Sequence, residues 1–303
     1  MKKILACLTL AIGNLASAGE VVPIIYSWAA SDPATNFDRA MIEEANRMQQ
    51  KYTFVFDARP GGGGVVPAQH TANTANAVLA TSSAFFIRPA VYPNDSYDLG
   101  RYRGVAPKCT VTALITSVKY KSWSEVPRDR PLSIGVSGLG TTTHLISLQL
   151  AKKYPNLAPV PFKGTSEALL NVLNGSVDFS VNFFGDIESW TKANNTGRTI
   201  NVLGVTGPRS FEGYPTLTLQ GFSKDLAWMS PPHQYVTSTK MPEEKYNEIR
   251  SIIQKAQESI RVKAAYFIDR CSPIDAMSTE QVNLWYNDQV EKWRKLGAEV
   301  KLN

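Results

Sequence analysis

The chain has 303 residues, of which 43% are hydrophobic and 19% are charged, a balance that excludes an intrinsically disordered protein. This length allows two domains, each with a hydrophobic core of its own. The formal net charge of +6 is spread along the chain rather than gathered in one basic block, which favours small anions as partners and does not indicate nucleic acid.

The N-terminus has the pattern of a secretory signal peptide. Lys2 and Lys3 precede an apolar run over residues 4–12, and residues 16–18 form an Ala-Ser-Ala cleavage motif. A buried N-terminal strand is the alternative interpretation. We expect a signal peptide over residues 1–18 and a mature protein in the periplasm. Downstream of it, no apolar run is long enough to span a membrane.

Strand and helix patterns then alternate, which predicts an α/β fold. Apolar residues recur at helical spacing from Phe37 to Met48. We expect the chain to cross from one domain to the other within residues 110–117. The predicted strands of this half cover residues 21–27, 53–57, 78–81, 110–117 and 132–136.

Four consecutive glycines, Gly61 to Gly64, follow the second predicted strand. A glycine run is costly in chain entropy and is rarely placed inside a packed element. It fits either a loop that turns its backbone amides toward a ligand or a flexible surface turn. The spacing matches neither the dinucleotide-binding motif nor the phosphate loop.

A loop from Ser137 to Leu145 leads into a helix and carries three successive threonines. Hydroxyls and free amides at a helix start can cradle a carboxylate, and plain N-capping of the helix is the alternative. We expect His144 to be a hydrogen-bonded packing residue rather than a catalyst or ligand contact.

The segment Pro159 to Phe179 indicates a strand, a turn, a helix and a second strand. Its turn, Lys163 to Ser166, precedes apolar residues at helical spacing, and Asn174-Gly175 ends the helix. A strand-to-helix turn of Gly, Thr and Ser offers amides and hydroxyls to an anion.

The last third of the chain is predominantly helical. One predicted helix begins at Pro242 and keeps an apolar stripe as far as Ile260, and the next begins with a capping box of Ser278 and Gln281. Cys109 and Cys271 are the cysteines left after the leader. An even count in an exported protein favours one disulfide, with two separate buried thiols as the alternative.

These segments resemble the receptors of the tripartite tricarboxylate transporters, also called the Bug family, most specifically over residues 59–64, 137–145 and 161–179. The resemblance extends from Val21 to Lys301. It implies a two-domain periplasmic-binding-protein fold, type II-like, with a ligand cleft between the domains. The implied division is domain 1 at residues 19–110 and 232–303, domain 2 at residues 119–226, and hinge crossings at residues 111–118 and 227–231.

The resemblance also implies capture of a small organic acid and its delivery to a membrane permease, by a monomer without a cofactor. It places the ligand against strand-end loops of both domains. The expected ligand contacts are Ser27, Trp28, Ser31, Asp32, Gly62, Gly63, Gly64, Ser82, Ser83, Ser137, Gly140, Thr141, Thr142, Gly164, Thr165, Asn182 and Phe184.

The first loop departs from the family pattern Pro-[FY]-x-x-Gly-Gly-x-x-Asp. Here the Gly-Gly is missing, Asn36 stands where the Asp is expected, and the loop contains Trp28 and Asp32. An acid near a carboxylate ligand would repel it unless it points away or pairs with a cation. A binding or sensor protein for an amino-bearing, aromatic or neutral molecule, with Trp28 as a stacking surface, is therefore an alternative.

An α/β enzyme acting on a small carboxylate is the competing class. His70, His144 and His233 form no metal-ligand spacing with acidic residues or cysteines, and no Gly-x-Ser-x-Gly elbow occurs. Loops of Gly, Ser and Thr bind and orient, but they do not by themselves transfer protons at neutral pH. We therefore predict a binding protein without catalytic residues or a metal.

Overall fold

The structure is a computed structural model that describes residues 19–28, 30, 35–94, 96–193, 199–268 and 270–298. The predicted signal peptide and the predicted ligand contacts Ser31 and Asp32 lie outside the described residues. Within these ranges, none of the helices is both long enough and apolar enough to cross a membrane.

A six-stranded mixed sheet forms the first lobe, in the order β11-β4-β10-β3-β1-β2. The neighbours of β1 are parallel to it, whereas β10 runs antiparallel to β3 and β4. Its strands are β1 (Glu20–Tyr26), β2 (Tyr52–Ala58), β3 (Val78–Ser82), β4 (Tyr102–Val111), β10 (Pro232–Ser238) and β11 (Cys271–Pro273).

Helices cover both faces of this sheet, because alternate residues of its strands point to opposite sides. Ile24 and Tyr26 of β1 belong to one buried cluster, and Ile25 between them belongs to another. The helices of this lobe are α1 (Thr35–Met48), α2 (Val65–Asn73), α3 (Ala84–Val91), α7 (Glu243–Gln257), α8 (Ile260–Ile268) and α9 (Thr279–Ala298).

Of the two predictions made for the C-terminal helices, one is confirmed and the other is wrong. The capping box is confirmed, since Ser278 and Gln281 exchange side-chain and backbone hydrogen bonds. The prediction that a single helix keeps its apolar stripe as far as Ile260 is wrong. The chain turns after Gln257, the Ser259 hydroxyl accepts the N–H of Val262 and starts α8, and Ile260 is 87% exposed.

A five-stranded sheet forms the second lobe, in the order β7-β6-β8-β5-β9. Strands β7, β6 and β8 are parallel, so their carboxyl ends meet at one edge of the sheet. The elements are β5 (Ala113–Ser117), β6 (Leu132–Val136), α4 (Thr142–Ala151), β7 (Leu157–Pro161), α5 (Thr165–Leu173), β8 (Phe179–Phe183), α6 (Phe184–Ala193) and β9 (Asn201–Val205). The α/β class predicted from the alternating patterns is confirmed.

The chain passes between the lobes at two adjacent places. Strands β4 and β5 are separated by Thr112 alone yet belong to different sheets, and the return passage leads into β10. The N–H of Val111 donates to the carbonyl of Pro231 at 3.2 Å, so the two passages lie side by side. Paired crossings of this kind are suited to hinge motion. The exact hinge boundaries stay a prediction.

A disulfide joins two strands of the first lobe. Cys109 of β4 and Cys271 of β11 are bonded, with their Cα atoms 5.5 Å apart. The bond ties the edge strand that precedes α9 to the body of the sheet.

A buried carboxylate links three segments of the second lobe. Asp178 accepts hydrogen bonds from Lys119 Nζ at 3.0 Å, from Arg130 at 2.9 Å and from the N–H of Ser133 at 3.0 Å. Burial alone would raise the pKa of Asp178, but the hydrogen bonds from Arg130, Lys119 and Ser133 outweigh it and lower the pKa to about 2.

We expect this carboxylate to stabilise the protein at neutral pH and not in strong acid. A group whose pKa is lower when folded contributes its full stabilisation above its unfolded pKa, and the contribution is lost as pH falls through the folded value of about 2. Asp178→Asn should therefore lose about 2 kcal/mol of unfolding free energy at neutral pH and almost none near pH 2, measured by urea unfolding. A loss of unfolding free energy in Asp178→Asn that is the same at every pH would contradict this role of the Asp178 carboxylate.

A cavity between the lobes as the candidate functional site

A cavity of about 120 Å³ lies between the two lobes. One buried water needs roughly 10–15 Å³ of such space, so the cavity has room for a small organic molecule. Residues of both lobes line it. The lobe-1 wall consists of Tyr26, Trp28, Phe37, Ser82, Ala84 and His233; the lobe-2 wall consists of Ser137, Thr141, Thr142, Thr143, Lys163, Gly164, Thr165, Phe183, Gly185 and Asp186; and Val111 and Pro231 belong to the crossings.

Three helix starts converge on the lobe-2 wall. Helices α4, α5 and α6 follow strands β6, β7 and β8, whose carboxyl ends meet at one sheet edge, and the first residues of each helix line the cavity. The first N–H groups of a helix have no carbonyl partner within it, and they carry the positive end of the helix dipole. The lobe-2 wall is therefore suited to an anion.

The hydroxyl groups at the start of α4 mainly hold the loop in shape. Thr141 is the N-cap, and its Oγ1 accepts the N–H of His144 and donates to the carbonyl of Gly138 at 2.8 Å. Thr143 Oγ1 lies 2.9 Å from both Thr141 Oγ1 and Ser137 Oγ. The Thr141 cap at the start of α4 is thus confirmed, and ligand contact by this motif stays a prediction.

The start of α5 already contains a carboxylate of the protein. The hydroxyls of Thr165 and Ser166 donate to Asp186 Oδ1 at 3.0 and 3.2 Å, and the N–H of Phe183 donates to Asp186 Oδ2 at 3.0 Å. Burial raises the pKa of Asp186, opposed by these hydrogen bonds. The Thr165 hydroxyl, expected to contact a ligand, therefore binds Asp186, while Gly164 and Thr165 still line the cavity.

Lys163 supplies a positive charge at the same place. Lys163 is exposed and is one of the residues that line the cavity, and its backbone N–H donates to Glu167 Oε2 at 2.9 Å. Among the lining residues, all of which belong to the described part of the chain, it is the one lysine or arginine.

The lobe-1 wall is largely aromatic. The ring centroid of His233 lies 5.6 Å from that of Phe37 and 6.2 Å from that of Trp28, and the Tyr26 and Trp28 centroids are 5.5 Å apart. These separations are within the range of favourable aromatic pairs. The rings form a continuous surface that faces the helix starts of the second lobe.

The two histidines near the cavity both have lowered pKa values. Burial lowers the pKa of His233 to about 3, and the charge of Lys108 lowers it further. Burial also lowers the pKa of His144, whose Nδ1 accepts the N–H of Gly140 at 3.1 Å. His144 is 1% exposed and is not a lining residue, which confirms its prediction as a packing residue.

A buried ion pair lies behind the aromatic wall. Lys108 Nζ is 2.9 Å from Asp38 Oδ1 with both side chains fully buried, and the hydroxyl of Tyr235 also donates to Asp38. The ammonium group lies over the Phe37 ring, 4.7 Å from its centroid. The pair thereby fixes the position of Phe37.

The lobes touch beside the cavity through two residues that were expected to contact the ligand. Ser83 Oγ of lobe 1 and Thr142 Oγ1 of lobe 2 are 2.7 Å apart and buried. Gly140 has a φ of +73°, and a Cβ atom there would lie 2.6 Å from the Tyr92 ring. A side chain at position 140 would thus hold the lobes apart.

The predicted ligand contacts that lie within the described residues fall into two groups. Contact of any of them with a ligand stays a prediction. Those that line the cavity are Trp28, Ser82, Ser137, Thr141, Thr142, Gly164 and Thr165. Those that do not line it are Ser27, Gly62, Gly63, Gly64, Ser83, Gly140, Asn182 and Phe184.

Local contacts explain why several residues of the second group do not line the cavity. Ser27 Oγ donates to the carbonyl of Ala80, and Asn182 is buried within β8 and donates to the carbonyl of Thr165. The Phe184 ring packs on Phe211 with centroids 5.2 Å apart. The glycines of residues 62–64 form a short 3-10 helix with positive φ before α2.

Sequence reasoning missed Tyr26, Phe37, Phe183, Asp186 and His233 as lining residues. Asp186 had a local signal, since Gly185-Asp186 directly follows a strand that ends at the cavity edge. Phe37 and His233 had none, because their approach depends on the pairing of distant strands.

Comparison with known proteins agrees with this architecture. The chain matches the TctC family, described as the tripartite tricarboxylate transporter family receptor, over residues 39–302. It is 24% identical to the UPF0065 protein in the tcbD-tcbE intergenic region of Pseudomonas sp. (strain P51), over 93% of this chain and 86% of that protein.

Two similar solved structures contain a carboxylate. MatC (Rpa3494) from Rhodopseudomonas palustris with bound malate has a TM-score of 0.77 at 14% identity, covering 92% of this chain and 98% of that one. R. palustris Rpa4515 with adipate has a TM-score of 0.76 at 17% identity, covering 93% and 97%. These likenesses show a shared two-domain fold. The match over residues 39–302 establishes that the chain belongs to the tripartite tricarboxylate transporter receptor family.

Proposed function

We propose that this protein captures a small organic carboxylate in the cavity between its lobes and delivers it to a membrane permease of the tripartite tricarboxylate type. The observation that supports capture most strongly is the convergence of three helix starts and Lys163 on one wall. Hydrogen bonds from N–H groups to a charged acceptor contribute about 1.5–3 kcal/mol each, so a few amides suffice to hold a small acid.

The proposal includes release of the ligand unchanged. Most lining side chains of the second lobe carry hydroxyls, which are bonded to one another, to Ser83 or to Asp186, and the neutral His233 lies on the opposite wall. The similar structures with malate and adipate support a carboxylate as the ligand class. Membership of the family supports a periplasmic location and a permease partner.

Calorimetric titration with matched acids and amides tests this function. Malate, adipate and benzoate would be compared with their uncharged amides, and we expect binding of at least one acid and of none of the amides. The acid should be recovered unchanged after prolonged incubation. Equal binding of an acid and its amide, or turnover of the acid, would contradict the proposal.

A further inference from the structure

The two walls of the cavity differ in chemistry. The lobe-2 wall carries helix starts, hydroxyls, Lys163 and the Asp186 carboxylate, to which the Thr165 hydroxyl and the Phe183 N–H already donate. The lobe-1 wall carries the rings of Tyr26, Trp28, Phe37 and His233. A ligand that spans the cavity therefore meets an anion-binding surface at one end and an aromatic surface at the other.

The lobe-1 wall is poorly suited to a second carboxylate. None of the lining residues described on that side is a lysine or arginine, and Lys108 behind the wall is fully buried and paired with Asp38. Burial with the nearby Lys108 charge keeps His233 uncharged, its pKa lowered to about 3. Transfer of an ionised carboxylate to such a surface without a cation is costly. A dicarboxylate would leave one end uncompensated.

His233 is a buried polar group that lacks a protein partner. It is 7% exposed and lines the cavity, and its Nδ1 is buried without a hydrogen-bond partner among the described residues. A neutral imidazole has one N–H donor and one nitrogen acceptor. Because Nδ1 is shielded, a polar group on the ligand would reach the imidazole through the part of the ring that is exposed at the cavity.

The rings beside His233 determine the shape that fits there. Phe37 meets the imidazole edge-on, at an interplanar angle of 88°, and Trp28 is tilted to it by 45°. Flat rings pack well in edge-to-face and offset arrangements with such neighbours, which aliphatic chains cannot reproduce.

We propose that the ligand is a flat aromatic monocarboxylate whose ring carries a hydrogen-bonding substituent, with its carboxylate on the lobe-2 wall and its ring beside Trp28, Phe37 and His233. His233 is then the residue that selects for the ring substituent, and Trp28 is a residue that selects for planarity. This inference rests on the proposed capture of a carboxylate.

A ligand series of fixed charge tests the inference on the unaltered protein. Calorimetric titrations would use 3- and 4-hydroxybenzoate, benzoate, cyclohexanecarboxylate and adipate. We expect the tighter hydroxybenzoate to bind at least tenfold more tightly than cyclohexanecarboxylate and adipate, and benzoate to lie between them. If adipate or cyclohexanecarboxylate binds as tightly as the aromatic acids, the inference is overturned while capture of a carboxylate stands. Failure of every acid would overturn both.

Two variants assign the selectivity to named residues. His233→Phe keeps an aromatic ring and should bind benzoate as before while losing the hydroxybenzoate advantage. Trp28→Leu should bring the affinities for benzoate and cyclohexanecarboxylate within about twofold of each other. Circular dichroism and thermal midpoints check folding, and if His233→Phe does not fold, the series on the unaltered protein still decides. An undiminished preference for hydroxybenzoate in a folded His233→Phe protein would refute the role of His233.

Discussion

Reversing the charge of Lys163 is expected to weaken carboxylate binding by tenfold or more, which corresponds to at least about 1.4 kcal/mol. Lys163 is the lysine on the lobe-2 wall, beside the amides of the α5 start. A glutamate at this position would repel the ligand and, as an anion beside the positive end of the α5 dipole, would compete with the ligand for that helix start. Because the side chain is exposed, the unfolding free energy should change by less than about 0.5 kcal/mol.

Lys240→Glu is the matched control for this experiment. Lys240 is also an exposed lysine, lies in the turn after β10 and does not line the cavity. Lys240→Glu changes the net charge by the same amount. A loss of affinity that occurs only in Lys163→Glu is therefore due to the position of the charge and not to the net charge of the protein. Equal affinities in both variants would remove Lys163 from the binding site.

Replacing Lys108 with methionine is expected to cost about 3–5 kcal/mol of unfolding free energy. The change removes the cation from a pair whose side chains are both fully buried, and it leaves the Asp38 carboxylate without its charged partner. The hydroxyl of Tyr235 still donates to Asp38, but one neutral hydrogen bond does not replace an ammonium group. Urea unfolding at neutral pH measures the loss.

A double-mutant cycle separates the loss of pairing from the loss of packing. The protein with both Lys108→Met and Asp38→Leu should be more stable than the sum of the single effects indicates, because it buries no uncompensated charge. The pKa of His233 should also rise in Lys108→Met, since the Lys108 charge lowers it, and NMR titration can follow this. Additive single effects would contradict the assignment of a coupled pair.

The sequence was sufficient to predict the elements that bring polar loops to the cavity. Residues 159–179 do contain the end of β7, the whole of α5 and the first residue of β8, and the three threonines do begin a helix on the lobe-2 wall. Both predictions depend on local spacing and capping, which act over a few residues. The same local signals failed at Ile260, where a serine cap starts a new helix within an apparently continuous stripe.

The details of the cavity depend on contacts that are distant in sequence. His233 lies on β10, which pairs with β3 and β4, and Phe37 lies on α1, which packs on the same sheet. Nothing near either residue in the sequence signals their contact. The hydroxyls of Thr165 and Ser166 face Asp186 because α5 and α6 pack side by side. Local composition therefore predicted which groups could bind an anion, but it did not predict which of these groups already form hydrogen bonds within the protein.

A crystal structure of the protein with the tightest-binding acid of the series tests the central claim most directly. We predict that the carboxylate lies within hydrogen-bond distance of backbone amides at the start of α4 or α5, with the rest of the molecule against Trp28 and His233. A carboxylate bound on the lobe-1 wall, or an acid bound outside the cavity, would contradict this account of the site.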